Sequence, residues 1–288
     1  MTSETLRTAI ISLNIVDADK KANLQNTCGA ISSLTGAEID IAVLPELFST
    51  GYVDDIQLIR RLAENNSGPT LTGLKKISSE THIAICGSFI ATDDDGSKFY
   101  NRCFFITPGG ELTTYDKRHL FILGREAEIY TPGKNLPAIT EYSGWKIALA
   151  VCYDLRFPCW LRNRVTDGNL SYDLLLLPAN WPQDRGYAWH QLLIARGIEN
   201  QAYIAGANRS GEDRFGLYDG LSEIVDYKGR VMKSENLTVN SSLRPEAETE
   251  TESGCLAGPD TADISIYILS KSRMERFRQL FPVWRSAD

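Results

Sequence analysis

The stretch Trp145-Lys-Ile-Ala-Leu-Ala-Val-Cys-Tyr-Asp154 decides how this chain is read. From Trp145 to Val151 it is apolar but for one lysine, as a strand covered on both faces would be, and it ends on a thiol. Two other stretches end on a reactive side chain, the first an apolar strand-like run and the second a hairpin-like segment. Ile39-Asp-Ile-Ala-Val-Leu-Pro leads into Glu46, and Leu112-Thr-Thr-Tyr-Asp leads into Lys117. Strand ends form the rim where sites gather in α/β proteins. A carboxylate, an amine and a thiol converging there would supply a base, an oxyanion stabiliser and a nucleophile, the parts that hydrolysis through a thioester needs.

Outward from these stretches the pattern alternates strands with helices. Ala9-Ile-Ile-Ser-Leu-Asn-Ile reads as a strand, as do Ile41–Leu44, Ile83–Ile90, Ile147–Cys152, Leu174–Pro178, Tyr203–Ala207 and Asp263–Leu269. A helix is expected from Asp19 to about Leu34, with Leu24, Cys28, Ile31 and Leu34 on its inner face, and another over Gly73–Glu80 with Leu74 and Ile77 facing in. The clearest amphipathic helix runs from Gly186 to Gln201, where Trp189, Leu192, Leu193, Arg196 and Asn200 fall at helical spacing. Pro108-Gly-Gly110 between Arg102–Thr107 and Leu112–Tyr115 predicts a hairpin, and Tyr227-Lys-Gly229 predicts a second. Residues 236–260 are polar and acidic, and read as a surface insertion within one domain spanning 1–288.

Composition narrows the function classes. The chain has 288 residues, of which 43% are hydrophobic and 23% charged, ample material for a sizeable core. A formal charge of −7 and a pI near 5.2 argue against a nucleic-acid or anionic-membrane surface. The polar start Met1-Thr-Ser-Glu-Thr-Leu-Arg-Thr lacks the marks of a secretory signal, and no run approaches a membrane span, so a soluble, cytoplasmic protein is expected. Six cysteines without a CxxC pair do not make a disulfide scaffold; Cys28, Cys86 and Cys103 read as buried small hydrophobes. No metal-ligand cluster or phosphate loop is visible, so no cofactor is expected.

Leu44-Pro-Glu-Leu-Phe-Ser-Thr-Gly-Tyr52, Tyr115-Asp-Lys-Arg-His-Leu-Phe121 and Val151-Cys-Tyr-Asp-Leu-Arg-Phe-Pro158 resemble the three catalytic signatures of the nitrilase, or carbon–nitrogen hydrolase, superfamily, in its order and at about its spacing. The wording is most similar to the omega-amidase branch, which acts on 2-oxoglutaramate and 2-oxosuccinamate. The likeness continues through Ala179-Asn-Trp-Pro182, Ala195–Tyr203 and Asn208-Arg209 to Phe281-Pro-Val-Trp284, and is interrupted by the acidic stretch. It implies an α/β fold, a four-layer α-β-β-α sandwich of two mixed sheets, and a homodimer that takes a small-molecule amide.

The resemblance also implies roles. Cys152 would be the nucleophile, Glu46 the general base, and Lys117 the oxyanion partner together with the backbone N–H of Tyr153. The family carries a further glutamate, whose register Glu126 matches better than Glu128 does. Arg156, four residues after the thiol, would grip a substrate carboxylate; its structural alternative is an ion pair with Asp154 or a nearby acidic residue. Tyr52 and Trp181, and more weakly Phe48, are candidate pocket walls or core aromatics. Arg196, Glu199 and Asn200 read as a bracing network, Cys159 as a packing residue and His119 as a support beside the lysine. Competing readings are another carbon–nitrogen hydrolase (an N-carbamoyl amidase, short-chain amidase or nitrilase), a catalytically silent scaffold, and a redox thiol protein.

Overall fold

A computed structural model describes residues 3–235 and 262–286. The acidic stretch 236–260 and Cys255 therefore lie outside the described residues. Two mixed sheets dominate. The first is ordered β15 (Ala262–Ser270), β1 (Thr5–Leu13), β2 (Ile41–Val43), β3 (Ala84–Thr92), β4 (Phe99–Ile106) and β5 (Leu112–Asp116). The second is ordered β14 (Glu223–Val225), β11 (Tyr203–Asn208), β10 (Leu174–Ala179), β7 (Trp145–Leu149) and β6 (Ile139–Tyr142). Two short ribbons, β8 (Val165–Thr166) with β9 (Asn169–Leu170) and β12 (Ser210–Asp213) with β13 (Gly216–Asp219), stand beside them.

Alternation along the strands explains the layering. In β1, Leu6 and Ile10 face the second sheet, while Ala9, Ile11 and Leu13 face the helices outside. In β2 and its continuation, Ile41 and Val43 point inward and Ala42 and Leu44 outward. The period of two therefore buries both faces of each strand, so Ile41–Leu44 is apolar throughout. The outer helices are α1 (Lys20–Ser32) and α3 (Pro69–Thr81), whose Ala30, Ile31, Leu71 and Leu74 pack on the first sheet. On the second sheet lies α5 (Gly186–Asn200), with Trp189 and Leu193 buried against β11. A Cβ at Gly206 of β11 would stand 2.6 Å from the Trp189 ring, so the absence of a side chain there sets how closely α5 approaches. The result is the expected α-β-β-α sandwich of two mixed sheets.

Local differences from the sequence reading have physical causes. The buried face of α1 is Asn23, Thr27, Ala30 and Ile31, with Leu24 and Cys28 only half-buried. Asn23 sits inward because its amide bonds the backbone of Val16 and Ser49, and Thr27 bonds back to Asn23 O at 2.7 Å. Helix α3 begins four residues earlier than expected, with Pro69 at its first position, where the missing N–H costs nothing. Among the elements that went unforeseen are the half-exposed β6, the short α2 (Ile56–Leu62) and α6 (Lys271–Leu280), whose inner face holds a single buried residue, Met274. The remaining helix, α4 (Glu126–Ile129), is one turn. Both hairpins form as expected, β4 with β5 and β14 with Val231.

Candidate active site

Strand direction brings the reactive groups together. β2 runs parallel to β1 and β3, and two antiparallel steps through β4 return β5 to that direction. β7, β10 and β11 are likewise parallel. Glu46 and Lys117 thus leave the C-terminal ends of first-sheet strands, and Cys152 and Asn180 leave those of the second. Backbone bonds hold the exits: Leu44 N–H to Cys86 O at 2.8 Å, Lys117 N–H to Asn101 O at 2.9 Å, and Gly133 N–H to Lys117 O at 2.9 Å. A Cβ on Gly133 would meet Asp116 O at 1.9 Å, so only glycine permits this approach.

At Cys152 the chain turns sharply. After Val151 the backbone enters a left-handed conformation at Cys152 (φ 42°) and then a 3₁₀ turn, Cys152–Arg156. A side chain in that region costs of order 1–3 kcal/mol and persists only where its surroundings enforce it. Asp154 does much of the enforcing. Fully buried, it accepts from Val151 N–H (3.2 Å), Tyr115 Oη–H (2.9 Å) and His119 N–H (3.0 Å), and pairs with His119 Nδ1 at 2.8 Å. His119 in turn stacks on Phe157 with ring centroids 3.6 Å apart. From below, Arg196 donates to Leu155 O at 2.6 Å and to Glu199 at 3.0 Å. Asn200 accepts from Asn163 N–H at 2.8 Å. Arg196 thus braces the turn itself, while Asn200 ties down the segment that follows it.

The charged cluster is almost wholly buried: Glu46 is 4% exposed, Lys117 2% and Glu126 1%. Lys117 Nζ donates to Glu46 Oε1 at 2.8 Å and to both oxygens of Glu126 at 2.9 Å. Asn101 Nδ2 bridges the carboxylates, 2.7 Å from Glu46 and 3.1 Å from Glu126. The backbone N–H of Asn180 reaches Glu46 Oε2 at 2.9 Å, and that of Phe121 reaches Glu126 Oε2 at 2.6 Å. Glu128 is exposed and pairs with Arg125 instead, so Glu126 is the glutamate at the cluster. Burial alone would push Lys117 down, but Glu126 and Glu46 outweigh it and hold the ammonium well above its ordinary pKa. Burial and the charge of Glu46 push the Cys152 thiol well up, with Lys117 pulling the other way. Its Sγ lies 3.9 Å from Asn180 O.

These groups line a cavity of about 510 Å³. Its other side is aromatic and cationic. Tyr153 stands edge-on to Phe121 and to Phe157, at 5.3 Å from each, and Trp181 lies under the Arg156 guanidinium at 4.8 Å. The alternative partner of Arg156 is thereby excluded: Asp154 is taken by Tyr115 and His119, and among the described residues no carboxylate pairs with Arg156. Tyr52 also lines the cavity, packed edge-on against Phe215 at 4.8 Å. Burial, then Glu126 and Asp54, push its hydroxyl up to about 12. Phe48 lies in the core beside Phe104, away from the cavity. Cys159 is exposed and unpaired, while Cys86 and Cys103 are buried with sulfurs 3.9 Å apart.

The sequence reading missed Asn101, Asp154 as the organiser of the turn, and Asn180. Asn101 carries a usable signal, an amide in the strand Phe99–Ile106 at a position whose alternation points inward. Among the described residues no group of three metal-ligating side chains occurs, and no helix is long and apolar enough to cross a membrane.

Comparison with known proteins agrees with this geometry. The sequence profile of the carbon–nitrogen hydrolases matches residues 7–239. The Escherichia coli (strain K12) omega-amidase YafV is 34% identical over 284 residues, covering 98% of this chain and 97% of that protein. The 2-oxoglutaramate amidase of Bacillus subtilis (strain 168) is 34% identical over 194 residues, 67% of this chain and 72% of that one. The crystal structure of XC1258 from Xanthomonas campestris, a CN-hydrolase superfamily protein with an arsenic adduct in its active site, superposes with a TM-score of 0.84. It is 32% identical and the match covers 99% of this chain and 98% of that one. With the profile spanning most of its length and full-length relatives above 30% identity, this chain is a member of the carbon–nitrogen hydrolase family.

Proposed function

We propose that the protein is an omega-amidase: it hydrolyses the terminal amide of a small 2-oxo acid monoamide, 2-oxoglutaramate or 2-oxosuccinamate, to the 2-oxo dicarboxylate and ammonia. The observation that carries the reading is one cavity joining the buried Glu46–Lys117–Glu126 cluster and Cys152 to an arginine, Arg156, with no carboxylate of its own. Relatives named omega-amidase and 2-oxoglutaramate amidase support the same substrate class.

The chemistry follows from the charges. With its pKa raised, Cys152 rests as a neutral thiol, so its proton must leave as sulfur attacks the amide carbon. Glu46 takes that proton and delivers it to the departing nitrogen, releasing ammonia and leaving a thioester on Cys152. Lys117, kept cationic, and the Tyr153 backbone N–H stabilise the oxyanion; one such donor is worth about 3–4 kcal/mol. Water then attacks the thioester, giving its proton to Glu46, which returns it to sulfur as the acid departs. Glu126 holds the lysine in place, Arg156 grips the substrate carboxylate, and Tyr52 and Trp181 wall the pocket.

Ammonia release from 2-oxoglutaramate, 2-oxosuccinamate, glutamine, a short aliphatic amide and a nitrile, by wild type and Cys152→Ala, tests this. Turnover of the oxo-amides far above that of the other three compounds, and lost in the variant, is expected. Turnover of the aliphatic amide or nitrile alone would move the protein to another branch of the family. We also propose a homodimer, supported by the exposed Ile198, Leu280, Phe281 and Val283 on and after α5 and α6; sedimentation as a monomer would overturn it.

A further inference from the structure

A second arginine reaches the same cavity. Arg185 follows Trp181-Pro-Gln-Asp, and its guanidinium lies over the Phe121 ring at 5.3 Å. Its backbone carbonyl accepts from Trp181 Nε1 at 2.8 Å, while the face of that same indole carries Arg156 at 4.8 Å. Trp181 thus couples the two arginines, one through its ring face and one through its edge. Phe121, under Arg185, meets Tyr153, the neighbour of Cys152, at 5.3 Å.

Charge accounting singles these two out. Among the charged residues that line the cavity, Glu46 and Glu126 share Lys117, Asp54 pairs with Arg214, and Glu128 pairs with Arg125. Arg156 and Arg185 remain, and among the described residues neither has a carboxylate within ion-pair distance. In a chain of net charge −7, two unneutralised guanidiniums in one cavity are a departure from its general balance. Stacking on aromatic faces holds each fork in orientation without using up its N–H donors.

We infer that Arg185 is a specificity-determining residue that acts with Arg156 as a paired clamp for the 2-oxo acid end of the substrate. The inference rests on the omega-amidase reading and extends it to the choice between 2-oxo and 2-amino acids. A 2-oxo acid presents three oxygens, all acceptors: two of the carboxylate and one of the ketone. Two guanidiniums present only donors, one fork for the carboxylate and a second cation for the ketone oxygen. A 2-amino acid puts an ammonium where the ketone was, and a second cation facing it is repulsive. The pair therefore admits 2-oxoglutaramate and turns away glutamine by like charge, a discrimination that one arginine on the carboxylate would not supply.

Steady-state kinetics of wild type, Arg185→Gln and Arg185→Lys on 2-oxoglutaramate, the monoamide of glutaric acid, glutamine and pentanamide test the clamp. Loss of a charge-assisted bond should lower kcat/KM on 2-oxoglutaramate by about 10–100-fold in Arg185→Gln, mainly through KM. The loss on the oxo-free monoamide should be smaller, and that on neutral pentanamide absent. The ratio of glutamine to 2-oxoglutaramate turnover should rise by about tenfold or more in Arg185→Gln and stay low in Arg185→Lys, which keeps the charge. Equal losses on all four amides, or none on 2-oxoglutaramate, would overturn the role of Arg185 and leave the reaction intact. Wild-type silence on 2-oxoglutaramate would overturn the reaction itself, and the clamp with it. Arg185 is exposed, so its substitution does not disturb the core.

Discussion

The two sides of the cavity are built on opposite rules. On one side Glu46, Lys117, Glu126 and Asn101 are buried and bonded to one another at 2.7–3.1 Å. On the other, Arg156 and Arg185 stand over aromatic rings with no carboxylate partner, and the hydroxyl of Tyr52 is buried without a hydrogen bond among the described residues. The first side is bonded chiefly to itself, whereas the second has donors waiting. A closed network fixes positions, and in the proposed reaction that serves every amide alike, while the free donors would select which amide arrives.

Breaking the networked side should cost most. In Glu46→Gln the proposed general base is gone, and turnover should fall by about 10²–10⁴-fold. The thiol should respond in the opposite sense, because the carboxylate that pushes it up has been neutralised. The pH at which iodoacetamide begins to label Cys152 should therefore drop, and unchanged or higher labelling pH would contradict the electrostatic account.

Lys117→Met should come next, with turnover down about 10²–10³-fold for loss of the proposed oxyanion donor. Here the thiol should titrate higher than in wild type, since the one cation that lowers it is removed. Two buried carboxylates would also face each other unneutralised, and breaking such a pair costs about 3–5 kcal/mol. Chemical denaturation measures that loss; a variant as stable as wild type would mean that one carboxylate takes up a proton in the lysine's place.

The same contrast decides what could be read from the sequence. Cys152 and Glu46 were legible because each follows an apolar strand, and Lys117 because it closes a hairpin whose last strand runs in the same direction as β2. The two-sheet sandwich came from the family resemblance, and strands apolar on both faces agree with it. Glu126 needed the family register to separate it from Glu128, because local composition around both is alike. Arg185 escaped notice altogether: an exposed arginine in Gln183-Asp-Arg185 looks like any solvated turn until its ring partner, Phe121, is brought across from the other sheet's loop. The face of α1 was misplaced because periodicity counts apolar side chains and cannot know that Asn23 will serve as a turn's hydrogen-bond partner. α6 was invisible for a similar reason, since it buries only Met274 and is tied down by Arg278 to Asp173 at 2.7 Å and to Gln201 O at 2.9 Å.

The smallest effect should come from Tyr52→Phe, which tests whether the receptive side acts through shape or through each polar atom. The ring packs on Phe215 and closes part of the cavity wall, while the hydroxyl bonds nothing among the described residues. If shape is its contribution, kcat/KM should change by less than about threefold, under 1 kcal/mol, and a larger rise in KM would make the hydroxyl a substrate contact. Stability gives an independent reading. Burial lifts the phenol from 10.0 to about 12, so the ionised ring is favoured only in the unfolded chain. The neutral phenol's contribution is fully present below pH 10 and is lost as pH rises through about 12. Other buried tyrosines add to the same loss in the wild type, so the informative quantity is the difference between the two proteins. Phenylalanine has no proton to lose, and the variant's stability should fall less steeply above pH 10.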